Sequence, residues 1–458
     1  MSWGRAVRAV PFAIAAVVVA PAPAVAQDGS VCVPIDQLTC GCDMPTGLGD
    51  PYPACFIGQV NLTNDRQIDS FSARAFTALH WPMSAKMAVF DAGRTPAGDY
   101  TTVLDGWKST REIFRADGKA PVAWEDDTRV LPAACTGIDL AAAKARVGFA
   151  DQIPAVLQPR LLDESVTPQG NVVIDAHKRR TRYEIAMNWQ AYDYIAENRL
   201  WDAAGLDAYL SEHGKIDFPG GDWNPQTRGA MVAKMAWMIL GEGDRPEAFH
   251  KSWAYVLAPE TGACSVEPVG LIGLHLAFKM DGNVNWNWAS FIQTAVAPVA
   301  DPAGPLPTGG AWLFFDPTGS GPVNTKPDPD APIVPARLVI DPGSAGGYPK
   351  IAGDDPTAGC QDWGFDYACF NRHLATDYAG SLIANYRLLG TQWTDYSGSS
   401  STPVLTPSHL ANATMESFIQ PTSSCIACHA TAKRPSDPLG SQTFDFIFSF
   451  ADALPAQN

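Results

Sequence analysis

The chain has 458 residues, with 48 acidic against 32 basic side chains and a formal net charge of −16. That balance argues against nucleic-acid backbones and anionic lipid as partners, and it attracts a basic protein at long range. With 46% apolar residues, 14 Trp and 20 Phe, the chain can bury a large core, and its length suggests two or three domains.

Arg5 and Arg8 precede an apolar run from Ala9 to Ala20, and Pro21-Ala22-Pro23-Ala24-Val25-Ala26 matches a small-residue cleavage site. Residues 1–26 therefore read as a secretory signal peptide cleaved after Ala26, which predicts a periplasmic or secreted protein. No later stretch approaches the roughly 20 apolar residues of a spanning helix, so no membrane span is expected. Loss of Arg5 and Arg8 takes the formal charge from −16 to −18. All ten cysteines follow the cleavage site. Residues 27–66, which hold Cys32, Cys40, Cys42 and Cys55, are rich in Cys, Pro and Gly and suggest a disulfide-pinned segment. No histidine lies near those four thiols, which argues against a metal there.

Residues 67–298 read as an α+β body. Asp69 or Ser70 can cap a helix through about His80, with Trp81-Pro82 ending it; further helices are expected near 138–147 and 188–213, the last closed by Gly214. In Arg180 to Asn188, Thr181, Tyr183, Ile185 and Met187 alternate with Arg182, Glu184 and Ala186, a strand pattern, and Val172–Ala176 is its expected hairpin partner. Ala230 to Leu240 is apolar on every face, so strand and helix both remain open. From Leu271 to Met280, Ile272, Leu274, Leu276, Phe278 and Met280 face one way and His275 and Lys279 the other, which predicts an antiparallel sheet with one dry face.

Residues 299–373 are dense in Pro, Gly and Asp and read as loops and edge strands. In 374–458 a helical C-terminal haem-binding segment is expected. Leu374, Tyr378, Leu382, Tyr386 and Leu389 trace one stripe stopping at Gly390, and Ser408 can cap a second helix carrying Ala411, Met415, Phe418 and Ile419 before Pro421.

The segment's chemistry lies in Cys425-Ile426-Ala427-Cys428-His429. Thiols three positions apart can each add to a haem vinyl group, and the next histidine then lies under the iron as an axial ligand. With Cys and His this scarce, chance would supply the pattern roughly 0.004 times in such a chain, which makes coincidence a poor explanation. A thioredoxin-like pair would sit at the start of a strand–helix unit, whereas this one follows Pro421-Thr422-Ser423-Ser424. A zinc knuckle needs a second ligand pair, for which Cys360 and Cys369 are badly spaced. Cys425, Cys428 and His429 are thus the predicted cofactor-binding residues for one covalent haem c, with His429 on the metal. The other cysteines, including Cys135 and Cys264, allow up to four disulfides, of which Cys360 with Cys369 is the local choice.

Only 29 residues follow His429, none of them Met or His. A sixth iron ligand would have to come from upstream or be absent. Met415 and His275 are the leading candidates, and His409 and His373 are weaker ones whose loop or helix-end positions suit plain exposure. The aromatic rings of Phe444, Phe446, Phe448 and Phe450 can pack against a porphyrin or fill a core.

Several phrases resemble a family of exported bacterial proteins described as cytochrome c family. They are Phe76-Thr77-Ala78-Leu79-His80-Trp81-Pro82, Trp107-Lys108-Ser109-Thr110-Arg111-Glu112, Arg182-Tyr183-Glu184-Ile185, Gly270-Leu271-Ile272-Gly273-Leu274-His275, Gly390-Thr391-Gln392-Trp393 and Leu410-Ala411-Asn412-Ala413-Thr414-Met415-Glu416. The likeness spans most of residues 70–450 and implies a single haem at Cys425, Cys428 and His429, with no substrate attached to it. His80 stands where such proteins often have Asn and Phe278 where they often have His, and no role is carried onto either. An exported monohaem c-type cytochrome is expected. Its leading activity is electron transfer with a redox partner protein, for which a basic surface suits the acidic chain. A haem-dependent oxidoreductase acting on a small molecule or peroxide is the alternative, and a non-redox haem sensor or binding module is a third.

Overall fold

A computed structural model describes residues 65–80, 101–154, 158–166, 171–221, 229–258, 261–281, 284–300, 304–325, 336–340, 379–395, 404–416, 423–434 and 442–453, with 371, 375 and 455 singly. Residues 1–26, expected to be a signal peptide, and Cys32, Cys40, Cys42, Cys55, Cys360, Cys369 and His373 lie outside the described residues.

One sheet organises the molecule. Its strands are β1 (Lys108–Ser109), β2 (Arg160–Leu162), β3 (Arg182–Met187), β4 (Met231–Ile239), β5 (Lys251–Leu257), β6 (Cys264–Phe278), β7 (Asn287–Gln293), β8 (Tyr386–Asp395) and β9 (Val404–Thr406). The main path runs β1-β3-β4-β6-β7-β8-β9, and β5 pairs with the first half of β6 and carries β2 on its other edge. Every pairing is antiparallel except β2 with β5. The helices are α1 (Asp65–Leu79), α2 (Thr110–Ile113), α3 (Leu140–Lys144), α4 (Trp189–Glu197), α5 (Ala203–His213) and α6 (Cys425–His429). The α+β reading with an antiparallel sheet holds. Among the described residues no helix is long and apolar enough to cross a membrane.

Both faces of the sheet are dry, in contrast to the single dry face expected. On β4, Met231, Ala233, Met235 and Trp237 enter one core with α1, while Val232, Ala236 and Met238 enter the other with α4 and α5. This is why residues 230–240 are apolar on every side: a strand buried on both faces loses its alternation. β6 adds a bulge between the pairs Ala236↔Gly273 and Trp237↔Leu271. The extra residue turns Ile272 into the core opposite Leu274, Leu276 and Phe278, which corrects the side expected for it.

Other boundaries also shift. α1 begins at Asp65, ahead of the expected cap, and the single helix expected over 188–213 is two. Asn188 caps α4 by accepting from Ala191 N–H, and Asp202 caps α5 by accepting from Gly205 N–H. Arg199, at φ 55°, makes the corner between them. The hairpin expected at Val172–Ala176 reduces to a single bridge, Ile174↔Arg180. A disulfide joins Cys135, in a 3₁₀ turn, to Cys264 at the start of β6.

The C-terminal part departs most from its helical expectation. Leu382–Asn385 is a 3₁₀ turn, and Tyr386 to Leu389 begin β8, paired with β7. Residues 407–416 form turns instead of a Ser408-capped helix. The described part of this segment therefore adds two strands to the common sheet and one short helix, α6.

Candidate functional site

The single turn of α6 lies against β7 and β8, on the face of the sheet that also packs α4 and α5. Ser424 caps it, its Oγ accepting from Ala427 N–H at 3.1 Å. Gln392 of β8 clamps the same turn: its Oε1 accepts from Ile426 N–H at 2.9 Å and from Ser424 Oγ at 3.0 Å, and its Nε2 donates to the Pro407 carbonyl at 2.8 Å. Cys425 is buried in the core and Cys428 is exposed, both as free thiols. Burial pushes the Cys425 thiol well up, and that of Cys428 up as well. A dithiol oxidoreductase needs the opposite, a thiolate stabilised at low pKa.

His429 Nδ1 lies 2.7 Å from the Phe446 carbonyl. A carbonyl can only accept, so Nδ1 carries the hydrogen and Nε2 keeps its lone pair. Burial, first among the causes, lowers the imidazole pKa to about 4, so the ring is neutral at neutral pH. Trp288 of β7 and Phe448 flank it at centroid distances of 5.0 and 5.2 Å. The turn presenting the carbonyl is unusual: Asp445 and Phe446 both have positive φ, 45° and 68°, a conformation costly for residues with a Cβ. Asp445 holds it in place. Both its oxygens accept from Lys279 Nζ at 2.8 Å, and Oδ2 also accepts from Phe218 N–H at 2.8 Å. Phe444 and Phe450 are buried and Phe448 is 43% exposed.

The floor beneath this assembly is the sheet. Cross-strand partners Ile185, Lys234, His275 and Ser290 line up over β3, β4, β6 and β7. Lys234 Nζ stands 4.9 Å from the centre of the Tyr183 ring. It makes no hydrogen bond or ion pair among the described residues, and burial lowers its pKa. His275 Nε2 is buried with no hydrogen-bond partner. Burial, then the charge of Lys234, then His429 lower its pKa to about 3. Glu416 closes one side, accepting from Ser423 Oγ at 2.6 Å, and burial raises its pKa to about 7. The 410–416 stretch approaches β6 so closely that a Cβ on Gly273 would sit 1.9 Å from Thr414 Oγ1, so only glycine fits there.

The structure therefore brings Cys425, Cys428 and His429 together with His275 on one face. Met415 is 2% exposed within the same apolar core as Cys425 and Ile426. His409 is buried, at 8% exposure, contrary to the plain exposure expected. Lys234, Gln392, Glu416 and the Lys279–Asp445 pair were not singled out from the sequence. The one visible signal was Lys234, a lone cation inside the apolar run 230–240.

A second buried polar group lies elsewhere in the body. Arg160 pairs with Glu184 at 2.6 Å and with Asp105, which also lies 3.1 Å from His250 Nε2. Burial opposes the Asp105 carboxylate, yet His250 and Arg160 hold its pKa well below the usual range. These groups satisfy one another and read as an internal ion network.

The donor set around α6 fits a thioether-linked haem: two free thiols on one helical turn, a neutral imidazole with a free Nε2, and surrounding aromatic rings. Among the described residues no three His, Cys, Asp or Glu side chains converge to hold a bare ion. No protein-family model, curated protein or solved structure matches the chain.

Proposed function

We propose that the protein is an exported monohaem c-type cytochrome whose activity is one-electron transfer. The observation that carries the reading is the hydrogen bond from His429 Nδ1 to the Phe446 carbonyl at 2.7 Å. It fixes the tautomer and orientation in which Nε2 can bind an axial iron. Cys425 and Cys428 would anchor the porphyrin. Each thiol adds across a vinyl C=C, sulfur to one carbon and hydrogen to the other, with no leaving group. The attached haem would supply a one-electron couple. Gln392 and Ser424 hold the attachment turn rigid, and Trp288 and Phe448 shield the His429 ring from water. The Cys135–Cys264 disulfide is compatible with an oxidising compartment, and the acidic surface suits a basic partner protein.

The test is expression with its leader alongside a cytochrome c maturation system. The purified chain should be coloured, should keep its pigment through acid acetone, and should give the pyridine haemochrome of a two-thioether haem. Cys425→Ala and Cys428→Ala should each shift that spectrum or lose the haem. A colourless wild-type product, or one that releases its pigment to acid acetone, overturns the proposal.

A further inference from the structure

One polar atom on the face that carries α6 has no hydrogen-bond partner. His275 Nε2 is buried and unbonded. Its direct cross-strand neighbour Lys234 has neither ion pair nor hydrogen bond among the described residues. The buried cations Lys279 and Arg160, by contrast, are each ion-paired. An unpaired buried polar group costs roughly 1–3 kcal/mol. A ring nitrogen left so, on the face that carries the Cys425–His429 turn, marks a place for a further group.

We propose that His275 Nε2 is the second axial ligand, so that the iron is held between the imidazole of His429 on α6 and that of His275 on β6. This rests on the haem reading above and deepens it. His275 pairs with Ser290, and Trp288, two residues along β7, points from the same face of the sheet. Such diagonal neighbours on a sheet are about 7–8 Å apart. The Trp288 ring in turn lies 5.0 Å from the His429 ring. These steps place His275 and His429 on one face of the sheet, with Trp288 neighbouring both.

The competing candidate lacks these features. Met415 is packed with Cys425 and Ile426 in the apolar core, its N–H bonded to the Asn412 carbonyl at 3.0 Å. A thioether in apolar packing needs no further partner. Two axial imidazoles leave no open site and lower the potential relative to a methionine ligand, which favours an electron carrier over an enzyme that binds substrate at iron.

The test uses the matured holoprotein and reads spin state. Wild-type ferric protein should be low-spin at neutral pH by absorption and electron paramagnetic resonance, and the ferrous form should not bind carbon monoxide. His275→Ala should be high-spin and bind carbon monoxide readily, and added imidazole should restore the low-spin spectrum. His275→Met, which keeps a ligand, should stay low-spin with a raised potential. Met415→Leu should leave the spectrum unchanged. A high-spin wild type, a His275→Ala protein that remains low-spin and inert to carbon monoxide, or a Met415→Leu protein that turns high-spin each overturns the assignment. The pyridine haemochrome of every sample separates the two failures. Haem c present with no response at position 275 sinks the ligand assignment alone, whereas a colourless wild type sinks the haem reading with it.

Discussion

Lys279→Met probes how the turn behind His429 is held. Lys279 Nζ donates to both Asp445 oxygens at 2.8 Å, with each side chain 5% exposed, and its third contact is Asp217 at 3.1 Å. Removing one member of a buried pair leaves the other charge uncompensated, at roughly 3–5 kcal/mol. Phe218 N–H still supports the carboxylate, so the lower end, about 3 kcal/mol, is expected at pH 7. The sign with pH follows from the carboxyl. Burial already raises the Asp445 pKa and Lys279 opposes that rise, so the variant's Asp445 should titrate higher still. A raised carboxylate pKa penalises the charged folded state above that pKa and relieves it as acid protonates the group. The deficit should therefore be full at pH 7 and shrink toward pH 4. Denaturant midpoints of wild type and variant at pH 7 and pH 5, read by tryptophan fluorescence, measure it, with Lys279→Met/Asp445→Asn recovering most of the loss. A deficit below about 1 kcal/mol at pH 7, or one that does not shrink on acidification, refutes the reasoning.

Gln392→Leu leaves Ile426 N–H and the Pro407 carbonyl unpaired, about 2–4 kcal/mol of local stability. Amide exchange at Ile426 should accelerate by at least tenfold while β4 amides stay protected, and equal protection at Ile426 would show that the clamp is dispensable. Replacing Cys135 and Cys264 together by Ala removes a cross-link spanning 129 residues. Chain entropy then predicts a loss of about 5 kcal/mol, seen as a lower denaturant midpoint with a steeper slope as the unfolded chain expands, and a loss under about 1 kcal/mol would show that the link does not constrain the unfolded chain.

The attachment triad was legible because its chemistry is local: five consecutive residues carry it. Of its surroundings, His275 is legible from the alternation of β6, whereas Lys234 and Gln392 lie on strands whose pattern is hidden by burial on both faces. The stripe Leu382, Tyr386, Leu389 imitated a helix for a related reason. Leu382 sits in a 3₁₀ turn, and Tyr386 and Leu389 lie on opposite faces of β8, in different cores, as strand alternation requires. With both faces buried, apolar side chains from a turn and a strand take on helix-like spacing. Caps were read better than interiors. Gly214 closes α5, at φ 77°, whereas Asp202 gives no legible start signal because the apolar pattern runs on across it.

β8 carries a consequence for how such a protein can be divided. It is hydrogen-bonded on one edge to β7 and on the other to β9, and Gln392 in its middle grips α6. The C-terminal end is therefore no cassette to be clipped off and grafted elsewhere. A cut ahead of residue 386 would strip β7 of its neighbour and leave a long apolar strand edge open to self-association, while the severed piece would lose the floor that supports its imidazole.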